Sequence, residues 1–92
     1  MFVRYLRSHI YRYDIASGKV EAAIEEEGND LVGTILPVAH EAEVSYFCDL
    51  RRIYVLNHST NRLHTVYACG RDTLINAVSR DERGVFWIGS NQ

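Results

Sequence analysis

The apolar positions of this chain fall in short runs with a period of two, separated by polar turns. Val20, Ala22 and Ile24 alternate with Lys19 and Glu21, and Leu63, Thr65 and Tyr67 alternate with Arg62 and His64. Period-two alternation is the signature of a strand with one wetter face, because successive side chains of an extended chain point to opposite sides. Each alternating stretch follows a strand-like run, Ile10–Asp14 or Ile53–Asn57, that is rich in aromatic and branched residues. The intervening loops, Ile15–Gly18 and His58–Asn61, close on Gly18 and Asn61, the two residue types that best tolerate a positive φ. The pattern predicts two β-hairpins.

The hairpins are copies of each other at an offset of 43 residues. Ile10 and Tyr11 match Ile53 and Tyr54; Asp14, Ser17, Gly18 and Lys19 match Asn57, Thr60, Asn61 and Arg62. Asp30–Ile35 precedes Thr73–Val78 by the same 43 residues, and Ser45–Asp49 precedes Val85–Gly89 by 40, with the loops Pro37–Glu43 and Ser79–Gly84 taking up the difference. The expected fold is all-β: one unit over residues 1–92, with repeats at 9–51 and 52–92 and about eight short antiparallel strands in two four-stranded sheets. The Glu25–Glu27 run reads as a solvated strand exit leading into a turn at Gly28-Asn29-Asp30.

Four strands every 40–45 residues is the spacing of β-propeller blades. Asp81-Glu82-Arg83-Gly84-Val85-Phe86-Trp87-Ile88-Gly89-Ser90 resembles the D-x-x-G-x-[L/F]-W-x-G-[T/S] motif of the two-component regulator propeller repeat. Tyr11-Arg12-Tyr13-Asp14 with Ser17-Gly18-Lys19 resembles the part of that repeat that follows, and Ile53–Val66 is also similar to YVTN-type propeller repeats. The resemblance covers roughly residues 8–24 and 52–92; Ser45–Asp49 departs from it in having no Trp. It implies a propeller portion of a bacterial two-component sensor, typically periplasmic, that senses a small ligand such as an oligosaccharide. A self-assembling half-propeller and a portion of a propeller enzyme, such as a lyase or glycosidase, are the alternatives. Within the motif, Asp81 and Gly84 suit a tight turn, Trp87 supplies a large apolar surface for packing between blades, and Gly89 permits close backbone approach. Tyr11, Tyr54 and Gly18 are the corresponding structural positions of the hairpins. A chain with two such units leaves strand edges and apolar faces open, so either further blades of a longer chain cover them or copies associate head to tail as a homo-oligomer.

Composition narrows the choice. A formal net charge of −2 leaves no basic footprint for nucleic acid. No apolar run approaches the ~18 residues of a membrane span, and Arg4, Arg7 and Arg12 interrupt the N-terminal apolar stretch, which excludes a signal-peptide core. Two cysteines, Cys48 and Cys69, are too few for a disulfide framework and read as reduced thiols, a mutual bridge being the alternative. The chain carries none of the serine-hydrolase, nucleotide-loop, zinc-protease or C-x-x-C motifs. His40, His58 and His64 match no common zinc spacing. Asp14, Asp49 and Asp81 sit at strand ends where Asp serves turns, and Asn57-His58-Ser59 reads as a chance glycosylation sequon. No catalysis, cofactor or metal is expected. Tyr11, Tyr13, Tyr54 and Phe86 read as packing between blades, with a sugar-binding surface as the alternative.

Overall fold

The computed structural model describes residues 7–25, 31–70 and 72–91. These form eleven strands and no helix: β1 (Arg7–Ser8), β2 (Tyr11–Tyr13), β3 (Val20–Ala22), β4 (Ile24–Glu25), β5 (Leu31–Val32), β6 (Leu36–His40), β7 (Val44–Cys48), β8 (Arg52–Asn57), β9 (Arg62–Ala68), β10 (Ile75–Arg80) and β11 (Phe86–Ser90). No helix is long and apolar enough to cross a membrane among the described residues. Most of the Glu25–Glu27 run and the turn expected at Gly28-Asn29-Asp30 lie outside them.

The centre is an antiparallel meander, β6-β7-β8-β9, extended at its β9 edge by β4, which runs parallel to β9. Flanking it are the hairpins β2–β3 and β10–β11 and the short pair β1–β5. The meander spans the join between the two repeats at Arg51 and Arg52, so one five-stranded sheet contains strands of both repeats.

The two hairpins predicted from the repeat share the same pairing register over three residue pairs. Tyr11, Arg12 and Tyr13 pair with Ala22, Glu21 and Val20. Their counterparts Tyr54, Val55 and Leu56 pair with Thr65, His64 and Leu63. The turns are built alike: Asp14 Oδ1 accepts N–H bonds from Ala16 and Ser17, and Asn57 Oδ1 accepts them from Ser59 and Thr60. Both turns close through a left-handed residue, Gly18 at φ 73° and Asn61 at φ 59°. A side-chain oxygen that satisfies two turn amides, followed by a residue tolerant of positive φ, is the local chemistry that fixes this loop.

Three expectations are corrected. Pro37–Glu43 is not all loop: Leu36–His40 is a strand, with its register broken by a bulge between Pro37 and Ala39. Proline lacks an N–H and is accommodated there because β6 is the outer strand of the sheet. Ser79 and Arg80 likewise continue β10 rather than opening the loop. Ile24 leaves the first hairpin, because Ala23 N–H bonds Ile10 O while Ile24 N–H bonds Asn61 O and carries the chain across to β9.

Two apolar clusters flank the meander. Leu31, Tyr54, Leu56 and Leu63 form one, joined by Ile10, Ala23, Ile35 and Phe47. Cys48, Ile53 and Ile75 form the other, joined by Val38, Cys69, Val78, Phe86 and Ile88. The first seats the N-terminal hairpin region on the sheet, and the second seats β10–β11. These packings correct the 40-residue alignment of Ser45–Asp49 with Val85–Gly89. Phe47 faces the first hairpin region, whereas Phe86 and Ile88, rather than Trp87, face the preceding sheet. A one-residue slip exchanges the two faces of a strand. A shift of 41 restores the match, placing Ile88 on Phe47, Trp87 on Tyr46 and Phe86 on Ser45.

Tyr54 is the best-anchored residue of the sheet. It is 2% exposed, and its hydroxyl donates to Asp49 Oδ2 at 2.9 Å. The other oxygen of Asp49 accepts the N–H groups of Arg51 and Arg52, both at 2.8 Å, and so holds the β7–β8 turn. Burial pushes the Tyr54 phenol up to about 12, and its bond to Asp49 adds to the shift. The raised value means that the folded state holds this proton more tightly than the unfolded chain, whose tyrosines titrate near ~10. The resulting stability, about 2–3 kcal/mol, is complete below pH ~10 and disappears as the pH rises through about 12. Urea unfolding midpoints taken from pH 8 to 12 will fall steeply for the wild type over that window. The fall will be shallower in Tyr54→Phe, and equal slopes in both proteins would refute the assignment.

Candidate functional site

The seven sequence-derived structural positions do not converge. Tyr54 lies inside the first cluster, while Tyr11, its repeat counterpart, is exposed on β2. Asp81 organises the β10–β11 turn: Oδ1 accepts the N–H groups of Arg83 and Val85 at 2.9 and 3.0 Å, and Oδ2 accepts the indole N–H of Trp87 at 3.0 Å. These bonds, that from Val85 foremost, hold the Asp81 carboxyl below its ordinary value. Gly84 adopts φ +83° in this turn, and a Cβ there would meet Arg80 Nη2 at 3.2 Å. Trp87 is not packed between sheets in the isolated chain; its ring lies exposed and is tethered only at its N–H end. Gly89 is not a point of forced approach, since a Cβ would stand at ordinary contact distance from Ala77. Nor do Tyr11, Tyr13, Tyr54 and Phe86 form one surface: Tyr54 is buried, and Phe86 packs edge-on against Tyr46 at 5.1 Å.

What the fold brings together is a different set. His40 and Ser45 are opposite each other across the β6–β7 pair, and His58, the residue after β8, lies beside them. Ser45 is buried, and its hydroxyl lies 2.7 Å from both His40 Nδ1 and His58 Nε2. The partners dictate the proton order. His58 Nδ1 faces the carbonyl of Ala42 at 3.3 Å and therefore carries the hydrogen in the neutral ring. His58 Nε2 then accepts from the Ser45 hydroxyl, and Ser45 accepts from His40 Nδ1–H. Arg12 reaches over from the first hairpin and donates through Nη1 to the His58 carbonyl at 2.7 Å.

The network borders a cavity of about 320 Å³ between the first hairpin and the meander, walled by Ile10, Tyr11, Arg12, His40, Ser45, Phe47, Leu56 and His58. The size falls at the lower end of small-ligand sites, and half of the lining, Arg12, His40, Ser45 and His58, is polar or charged. It supplies the ring of Phe47, a guanidinium on Arg12, and imidazole nitrogens that both donate and accept. Among the described residues no three His, Cys, Asp or Glu side chains stand close enough to hold a metal ion. Both cysteines are free thiols on the opposite side of the sheet, and burial raises the Cys48 thiol above its ordinary value, keeping it protonated.

Sequence reasoning missed Ser45, His40 and Arg12 as a group. The one available signal was the His40–Ser45 spacing, which makes them cross-strand neighbours only if the loop between is short. Reading Pro37–Glu43 as loop concealed it. Comparison with protein-family models, with curated proteins and with solved structures finds no match to this chain.

Proposed function

We propose that this chain is a non-catalytic, ligand-recognising β-repeat module, in which the β6–β9 meander is one blade equivalent and the hairpins β2–β3 and β10–β11 are halves of two others. The observation that carries the reading is the cavity between the first hairpin and the meander, with the His40–Ser45–His58 chain and Arg12 at its polar side and Phe47 as a ring wall. Aromatic faces bind the apolar faces of sugar rings, and groups able to both donate and accept suit hydroxyls. A saccharide is therefore the ligand class proposed, in keeping with the resemblance to sensor propellers. The serine is not assigned as a nucleophile: its hydroxyl lies between two imidazoles in a buried strand position.

Isothermal titration with cellobiose and with a galacturonic acid disaccharide tests the reading. Binding of either is expected, and His58→Ala is expected to weaken it about five- to ten-fold, the worth of roughly one hydrogen bond. Amide chemical-shift changes should centre on Tyr11, His40 and His58. Failure of both sugars to perturb these residues would overturn the saccharide assignment.

A further inference from the structure

Beyond the cavity, the largest unexplained feature is the set of exposed apolar side chains on the flanking hairpins. The repeat assigns four of them buried counterparts. Leu31, Tyr54, Leu56 and Leu63 are at most 6% exposed, whereas their equivalents one repeat away, Leu74, Tyr11, Tyr13 and Val20, are 39 to 62% exposed. The four buried residues form a single cluster, in which Tyr54, Leu56 and Leu63 come from the hairpin β8–β9 and Leu31 from the segment preceding the meander. The four exposed ones are divided between the two flanks of the molecule: Tyr11, Tyr13 and Val20 on the first hairpin, and Leu74 just before β10. One flank thus holds three parts of a core, and the opposite flank holds the fourth.

The edges match in the same way. Within the chain, β7 pairs with β8, and that step joins the first half of the meander to the second. Among the described residues β11, the counterpart of β7, pairs with β10 alone, and β2, the counterpart of β8, pairs with β3 alone. We infer that β11 of one copy pairs with β2 of a second copy in the register of β7 on β8, completing a four-stranded sheet from two half-sheets. The internal pairs Phe47↔Tyr54, Tyr46↔Val55 and Ser45↔Leu56 then become Ile88↔Tyr11, Trp87↔Arg12 and Phe86↔Tyr13 between copies. In this arrangement Tyr11, Tyr13 and Val20 of one copy meet Leu74 of its neighbour, reproducing the Leu31–Tyr54–Leu56–Leu63 cluster. Trp87, exposed in the single chain, is placed opposite Arg12, where a guanidinium can lie on the indole face. Because the two surfaces are different, the contact is head to tail and propagates until a ring closes.

Light scattering after size-exclusion chromatography reads the state directly: a discrete multiple of the 10.6 kDa chain mass is expected. Tyr13→Glu and Leu74→Glu, each at an exposed position outside the cavity, are expected to reduce the particle to a single folded chain with unchanged circular dichroism. The register is read by mixing Arg12→Cys with Trp87→Cys under oxidation, which should give an intermolecular disulfide. Mixing Arg12→Cys with Gly89→Cys, two positions out of register, should give little. A wild-type monomer at high concentration, an oligomer untouched by both glutamates, or equal crosslinking in both mixtures would each overturn the proposal. The saccharide reading is judged separately, by titration of the monomeric Tyr13→Glu chain.

Discussion

Tyr54→Ala is expected to unfold the chain at room temperature, or nearly so, while the same truncation at its repeat counterpart Tyr11 leaves an isolated chain almost unaffected. Tyr54 is 2% exposed at the centre of the first cluster, and Tyr11 is 62% exposed. Removing a buried aromatic ring costs about 3–5 kcal/mol, from lost transfer free energy and the cavity left behind. Here the phenol also donates to the buried Asp49, whose other oxygen holds the turn amides of Arg51 and Arg52, so the carboxylate loses a partner as well. A domain of this size has a total stability of roughly 5–14 kcal/mol, and its radius of gyration of 14.0 Å exceeds the ~12 Å of a compact chain of this length. The first hairpin, with Tyr11, Tyr13 and Val20 exposed, buries little, which puts the stability toward the low end of that range. Urea unfolding followed by circular dichroism will give both values. A loss below about 1 kcal/mol for Tyr54→Ala would show that the meander does not depend on this cluster. A large loss for Tyr11→Ala in a demonstrably monomeric chain would show that the first hairpin is buried in a way this structure lacks.

The second large effect is expected at Arg80, which joins β10–β11 to the meander. Its guanidinium carbon lies 4.4 Å from the Tyr46 ring centroid and 5.0 Å from that of Phe86. Its Nε donates to Glu41 at 2.7 Å, and its Nη1 to the Gly84 carbonyl at 3.1 Å. The side chain is only 17% exposed, so these contacts are shielded from solvent far more than a surface ion pair is. Cation–π contact contributes about 0.5–2 kcal/mol and a hydrogen bond to a charged group about 1.5–3 kcal/mol; allowing for non-additivity, Arg80→Ala should cost about 2–3 kcal/mol. The loss should be local. Hydrogen exchange is expected to accelerate at the amides of β10 and β11 while β8 stays protected, and Trp87 fluorescence should shift as the Asp81 turn loosens. Arg80→Lys should recover only part, because an ammonium cannot lie flat on two rings and hydrogen-bond in two directions. Uniform acceleration over the whole sheet would instead mean that the hairpin and the meander unfold as one unit.

The parts of this protein legible from its residues are the local ones. Asp14 and Asn57, each followed by a residue able to adopt positive φ, specify two identical turns through bonds spanning two or three residues, and the alternation on either side sets the hairpin register. All-β character and the 43-residue repeat follow from the same signals. The tertiary structure decided everything that depends on which surface a repeat meets. Identical local chemistry leaves Tyr54 buried and Tyr11 exposed, because β8 is flanked by β7 and β9 whereas among the described residues β2 pairs with β3 alone. The face of β11 was misread by one residue, since a short apolar run does not reveal which of its sides meets the preceding sheet. Pro37 looked like a loop residue because its tolerance in a strand depends on that strand being at an edge, a property of sheet order and not of sequence. The His40–Ser45–His58 chain was hidden for the same reason: its three members are ordinary polar residues until β6, β7 and β8 lie side by side. Backbone turns are fixed by neighbours along the chain, whereas burial, edges and sites are fixed by neighbours across it.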